Sequence, residues 1–400
     1  MSSKSWISQY NLFYLFLCII WVPIQYFYLH VDGAGRTIMV LTVVAVMLNI
    51  GASWNKKDMF GSAAFICWTL LVIYSFFNSM FKGFTYEYGS LPFITTNFLN
   101  PFIYLWIACI ELDNDKNRCL YVLLIGQLVY LLIGATHLSF IQFERAEATG
   151  LGNMLPMTAA GCVCVASVLL CDKKLKWGWL TYSIIVFLAL LIVISAATRK
   201  ALGAILIMLI GALLGRSKKI DFKNVMLILF CGFVLYAGVG WLLDNTLIGE
   251  RITDSSELYD VPLSSNPAVN DFLMTLLGDR SLQYYEGISL HRQYPLTGIG
   301  VMNYVTKTGA FYRLHTEYMV QYCENGSIGF SLFILFYVLL LWGLKKKHKD
   351  GENTLVYSFA LLMVLFINLT AWTYNMQYIM IIYAILISHN YSKQNITIKK

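Results

Sequence analysis

Apolar runs of about 20 residues, the length that crosses a bilayer core, recur along the whole chain. Short polar turns separate them. The pattern predicts twelve membrane-spanning helices, beginning near Asn11, Thr37, Met59, Leu91, Cys119, Asn153, Trp177, Ala201, Asn224, Tyr318, Thr354 and Tyr374. One long polar interval, Asp244 to Glu317, breaks this rhythm before the tenth span. The expected fold class is an all-α polytopic membrane protein. It reads as one transmembrane domain over 1–400, with a large periplasmic or extracellular loop at 244–317. The first span has no small-residue cleavage site after it and leads into further spans, so it reads as retained.

Composition agrees with this solvent. The chain is 58% hydrophobic and 13% charged, where a soluble domain carries about 25% charged residues. The expected surroundings are the lipid bilayer, with no nucleic-acid partner. The nine cysteines lie in or at the ends of spans, and none falls in the long loop. They show neither disulfide nor zinc spacing and read as small apolar filler. The +7 net charge becomes informative only loop by loop. With the N-terminus inside, 19 of the 29 Lys and Arg fall in cytoplasmic segments, including the runs KKLK, RSKKIDFK and KKKHK. Basic side chains favour that side. Both termini are therefore expected in the cytoplasm. The cytoplasmic turn ELDNDKNR contains Asp113 and Asp115, a spacing that can hold a metal and a nucleotide sugar. No soluble sheet domain accompanies it, so it reads as a solvated loop.

Two helix lengths locate chemistry. The apolar stretch Ala201–Gly215 has 15 residues, about 22 Å of helix, too short for a bilayer core. The eighth span must extend back through Lys200, Arg199 and Thr198. Arg199 is thereby expected at the outer membrane boundary, where an arginine either snorkels or meets a partner. The tenth span, Tyr318–Leu344, has 27 residues, about 40 Å as a continuous helix. With Lys345–Lys347 at the inner headgroups, His315 falls at the outer ones. Tyr318, Met319 and Tyr322 follow it on one helix face.

The long loop segregates its charge. Seven acids and one base lie from Asp244 to Asp279; four bases and the single acid Glu286 lie from Arg280 to Thr316. The basic half, with Arg280, Arg292 and Arg313, is expected to face an anionic substrate. A helix is expected within 271–293, with Arg280, Tyr284, Gly287 and His291 on one face. After Pro295, Gly298 and Gly300 predict a turn where backbone approaches a ligand closely. The candidate chemistry is arginine, which holds phosphate with a rigid fork of donors, and histidine, which takes a proton near neutral pH. The chain shows no Gly-rich phosphate loop, nucleophile elbow or metal-ligand cluster.

These motifs are similar to those of the O-antigen polymerase and O-antigen ligase family. They are TRKALGAI (198–205), DRSLQYYEGISLHRQYPLTGIG (279–300) and HTEYMVQYCENGSIGF (315–330). The family's Ser/Thr-Arg pair corresponds to Thr198-Arg199, and its Arg before an aromatic helix to Arg280. Its Pro-Leu-x-Gly-x-Gly turn corresponds to Pro295–Gly300, its His to His315, and its Gly-x-x-Gly to Gly326 and Gly329. Thr316 departs from the Asn that often follows the His. The resemblance implies a GT-C-like, metal-independent glycosyltransferase of the bacterial inner membrane, without cofactor. The implied donor and acceptor are undecaprenyl-diphosphate-linked oligosaccharides, and a chain-length regulator is a further partner. By this resemblance Arg199 and Arg280 would hold the diphosphate and His315 would deprotonate the acceptor hydroxyl. The loop's charge and the His315 helix face, not the resemblance, add Arg292, Arg313 and Tyr318 as expected substrate-lining residues. The Thr-Arg-Lys-Ala-Leu and His-Thr-Glu-Tyr runs favour a repeat-unit polymerase over a ligase that transfers glycan to lipid A-core. A lipid-linked oligosaccharide flippase is the alternative of another class. Its mid-span ionisable groups are nearly missing here.

The charge asymmetry gives a topological prediction. In a cysteine-free background, a membrane-impermeant thiol reagent labels a cysteine at Ser264 and leaves one at Lys347 unlabelled. Labelling at position 347 in intact spheroplasts reverses the orientation.

Overall fold

The computed structural model describes residues 3–24, 34–53, 62–83, 94–136, 154–196, 198–217, 262–270, 281–310, 314–369, 371, 373 and 376–391. Helices dominate, and no strand occurs among the described residues. In chain order they are α1 (Ser3–Ile24), α2 (Ala34–Ser53), α3 (Ala63–Lys82), α4 (Asn100–Ala135), α5 (Met154–Cys171), α6 (Trp179–Ser195) and α7 (Arg199–Ser217). Then come α8 (Ser281–Gln293), α9 (Tyr304–Thr308), α10 (Gly326–Lys349), α11 (Leu355–Asn368) and α12 (Gln377–Tyr391). Among the described residues, five helices are long and apolar enough to cross a membrane, and three shorter ones are also apolar. The protein is a helical, polytopic membrane protein. The ninth expected span, from Asn224, lies outside the described residues.

Burial separates centre from periphery. From Leu155 to Cys171 every residue of α5 is buried, and α12 is buried over most of its length. A helix apolar all round has no solvent face to keep. Around them, α3 and α10 turn Phe77, Phe81, Leu335, Leu341 and Trp342 outward, as expected of helices whose outer surface meets lipid.

The fourth and fifth expected spans are joined in α4. Asp115 interrupts it with φ −151° and ψ 88°, so the helix is two pieces meeting at a kink. Asp113 and Asp115 are exposed, as a solvated turn requires, but Glu111 is 2% exposed. Its carboxylate accepts from Ser8 Oγ at 2.5 Å and Asn11 Nδ2 at 2.7 Å. Asn11 and Asn49 in turn exchange amide hydrogen bonds at 3.0 and 2.7 Å. Buried polar groups at this end of the bundle thus satisfy one another across α1, α2 and α4.

The tenth span departs from the continuous helix expected. A short turn, Glu317–Met319, runs into a π-helical turn, Val320–Glu324, and α10 begins only at Gly326. The 27-residue length is therefore not one rod. At the other end of α10, Lys347 is buried and donates to Glu352 Oε1 at 2.8 Å. Lys346 is exposed. In the labelling experiment the cysteine expected to stay unlabelled therefore belongs at Lys346, where a negative result reports sidedness rather than burial.

Candidate functional site

His315 is exposed, and the chain on either side of it is held. Its own N–H donates to Gln283 Oε1 at 3.0 Å, in the first turn of α8. Two residues on, the Glu317 N–H donates to Ala371 O at 3.1 Å, in the α11–α12 connection. Between them Thr316 is extended, and its hydroxyl oxygen accepts from Met319 N at 3.3 Å. This is an N-cap, which stabilises the short turn and fixes where the chain enters it.

The π turn is clamped by the loop. Ile299 and Gly300 donate backbone N–H bonds to Cys323 O and Glu324 O, at 3.2 and 2.8 Å. Ser327 and Ile328 donate in return to Pro295 O and Leu296 O, at 2.9 and 3.2 Å. Such closeness requires glycine. Gly298 (φ 66°) and Gly326 (φ 64°) face one another, and a Cβ on either would lie 2.4–2.5 Å from the other's backbone N. The expected close approach at this turn is therefore to the protein's own backbone. From α3, Asn78 Nδ2 donates to Thr297 O at 2.6 Å, and Ser79 Oγ accepts from Val301 N at 3.0 Å.

α8 is described over Ser281–Gln293, and the first part of the expected helix, residues 271–280, lies outside the described residues. Of its expected face, Gly287 and His291 are buried and Tyr284 is half-buried against a small apolar cluster that includes Met319, Val320 and Cys323. His291 Nδ1 meets Tyr322 O at 2.8 Å; a carbonyl only accepts, so Nδ1 carries the proton. Its ring stacks on Tyr322, centroids 3.6 Å apart. His291 pins the loop helix to the π turn. The lone acid of this half, Glu286, accepts from the Tyr304 hydroxyl. Burial, then this carboxylate, raise the Tyr304 pKa.

One end of α11 gathers the candidate elements. α7 packs on α11 with Gly203 against Phe366 and Gly211 against Phe359, so the two helices run antiparallel. Arg199 opens α7 one turn before Gly203, as the short apolar stretch required. On the same turn of α11, the Tyr318 hydroxyl donates to Leu365 O at 3.3 Å. The start of α7 and the His315 segment thus reach the same end of α11. Tyr318 is half-buried and acts there as a tether. Arg292 is exposed in the last turn of α8. It lies nine residues past Gln283, about 14 Å along the axis, so α8 does not bring it to His315. Arg280, Arg313 and the side chain of Arg199 lie outside the described residues.

Sequence reading missed Gln283, Glu317 and Thr373. A carboxylate at the mouth of an apolar span was the available signal for Glu317; nothing local marks Thr373.

The fold and these contacts define a helical membrane protein whose long loop is bonded onto a broken span beside an exposed histidine. Residues 184–334 match the O-antigen ligase family. The resemblance read from the motifs is borne out over this region, which contains Arg199, Arg280, the Pro295–Gly300 turn and His315. The match supports a glycosyltransferase-like activity of the O-antigen polymerase or ligase kind. No curated protein matches the chain.

The clamp gives a prediction. Gly326→Ala places a Cβ against loop backbone at a left-handed φ, which costs about 1–3 kcal/mol in conformational strain alone. The purified variant should unfold at lower temperature and be cleaved faster by protease within 294–300. Unchanged melting and cleavage would show that the loop does not depend on this contact.

Proposed function

We propose that the protein polymerises oligosaccharide repeat units carried on undecaprenyl diphosphate, on the outer face of the bacterial inner membrane. It is read as a GT-C-like glycosyltransferase with twelve spans and both termini in the cytoplasm. The observation that carries this reading is the meeting of the Arg199 end of α7 with the His315 segment at one end of α11. Both lie in the region that matches the O-antigen ligase family.

In this mechanism Arg199 and Arg280 hold the donor's diphosphate. His315 takes the proton of the acceptor hydroxyl as its oxygen attacks the donor's anomeric carbon. The new glycosidic bond forms while the bond from that carbon to the diphosphate oxygen breaks. The leaving lipid diphosphate carries the developing negative charge, which the arginines stabilise. They supply the charge that a divalent cation would otherwise provide, so the reaction is proposed to need no metal. Arg313 and Tyr318 belong to the wall around this centre, and Arg292 to a more distant part of the glycan path. A chain-length regulator is a proposed partner.

A ligase is the second reading, favoured by the name of the matched family. The glycan pattern of a deletion strain separates the two. Loss of a polymerase leaves single repeats on lipid A-core, and loss of a ligase leaves lipid A-core bare.

Two substitutions test the site. His315→Ala and His315→Gln should insert normally yet extend purified lipid-diphosphate repeats about 10²- to 10⁴-fold more slowly. The native rate should fall on acidification through the imidazole's titration, because only the neutral ring takes a proton. Full activity of His315→Ala removes the base from the mechanism, and rescue of a chelator-treated enzyme by divalent metal removes its metal independence. Arg199→Lys keeps the charge and loses the fork, so chain growth should drop strongly. A stably inserted lysine variant that builds normal polymer marks Arg199 as a snorkelling side chain.

A further inference from the structure

We infer that Glu317 is a positioning residue for His315, holding the histidine segment against the connection between α11 and α12. The inference rests on His315 being the base.

Glu317 is fully buried two residues from an exposed histidine. Its Oε1 accepts from Gln321 Nε2 at 2.7 Å, and Gln321 Oε1 accepts from Asn325 Nδ2 at 2.8 Å. This ladder runs along the π turn to the residue that precedes α10. Oε2 accepts from the Thr373 N–H at 2.6 Å. The Thr373 hydroxyl lies 3.3 Å from Oε2 and 2.6 Å from Asn368 Oδ1, so its single proton sits on the shorter contact. Asn368 Nδ2 then donates to the Tyr337 hydroxyl, which lies 2.5 Å from that of Tyr383. One carboxylate thus begins a chain of buried polar groups that ties the histidine segment to α10, α11 and α12.

The chemistry calls for an acceptor with two oxygens. An ionised carboxylate accepts at both, whereas an amide turns two donors toward one of its neighbours. A charge-assisted bond to a backbone N–H is also stronger than a neutral one. Buried polar groups left without partners are costly, so the ladder favours one arrangement of residues 314–325. The general base must sit within hydrogen-bond reach of the acceptor hydroxyl. A misplacement of about 1 Å costs up to about 10²-fold in rate. A carboxylate that is buried and cannot meet substrate acts on the reaction through the position of His315.

The test is a double-mutant cycle with purified full-length protein and lipid-diphosphate repeats. Glu317→Gln should lower kcat about 10- to 100-fold, with KM for the lipid-linked substrate within about 2-fold. In a His315→Ala background the same change should alter the residual rate by less than about 2-fold, because its effect runs through the missing ring. Equal losses in both backgrounds would assign Glu317 to general stability and overturn the inference, as would a wild-type rate for Glu317→Gln. Full activity of His315→Ala instead removes the base itself. Should Glu317→Gln not insert, Gln321→Met removes one donor to the carboxylate at similar volume. It should show the same dependence on His315 with a smaller loss, and equal losses in both backgrounds would again overturn the inference.

Discussion

A helix that stops hydrogen bonding to itself at the edge of a bilayer must find partners for its freed backbone groups inside the protein. The span after the long loop faces this constraint between Val320 and Gly326. There the ladder widens to a π turn and then breaks. The partners come from the loop: Ile299 and Gly300 donate to the carbonyls of Cys323 and Glu324, and Pro295 and Leu296 accept from Ser327 and Ile328. The break gives the loop a place to attach, and the attached loop makes the break affordable. Gly298 and Gly326 allow the two backbones to come close enough for this exchange.

The same constraint governs side chains. Glu111 sits among Ser8 and Asn11 at one end of the bundle, and Glu317 among Gln321 and Thr373 at the other. Each buried carboxylate is surrounded by donors and links several helices. Lys116 likewise is not left alone, and donates to Asp172 at 2.6 Å and to the Tyr357 hydroxyl at 2.5 Å. Polar groups scarce enough to be counted therefore fix which spans are neighbours, while α5 and α12 bury apolar side chains over most of their length. A site built on this frame inherits its rigidity. His315 is exposed, yet the backbone before and after it is bonded to two different parts of the fold.

Hydrophobic periodicity by itself determined that this is a helical membrane protein, because crossing a bilayer imposes a run length that composition cannot disguise. The short apolar stretch 201–215 also fixed where α7 begins, since the helix had to reach back to Arg199. The order of the Thr-Arg, Pro-Leu-x-Gly-x-Gly, His and Gly-x-x-Gly motifs pointed to the family that 184–334 matches. Tertiary structure decided the rest, for reasons that lie in partners distant along the chain. Tyr318–Leu344 reads as one apolar rod, but the break at Asn325 depends on loop backbone about 30 residues away. Gly298 reads as a ligand turn because a positive φ carries no information about what approaches it. Glu111 reads as solvated because its turn is polar, and only the neighbouring helices bury it. His291 and His315 are the same residue type in the same loop. One is stacked beneath the loop helix on Tyr322 and the other is exposed, because burial is set by the surface each segment docks against.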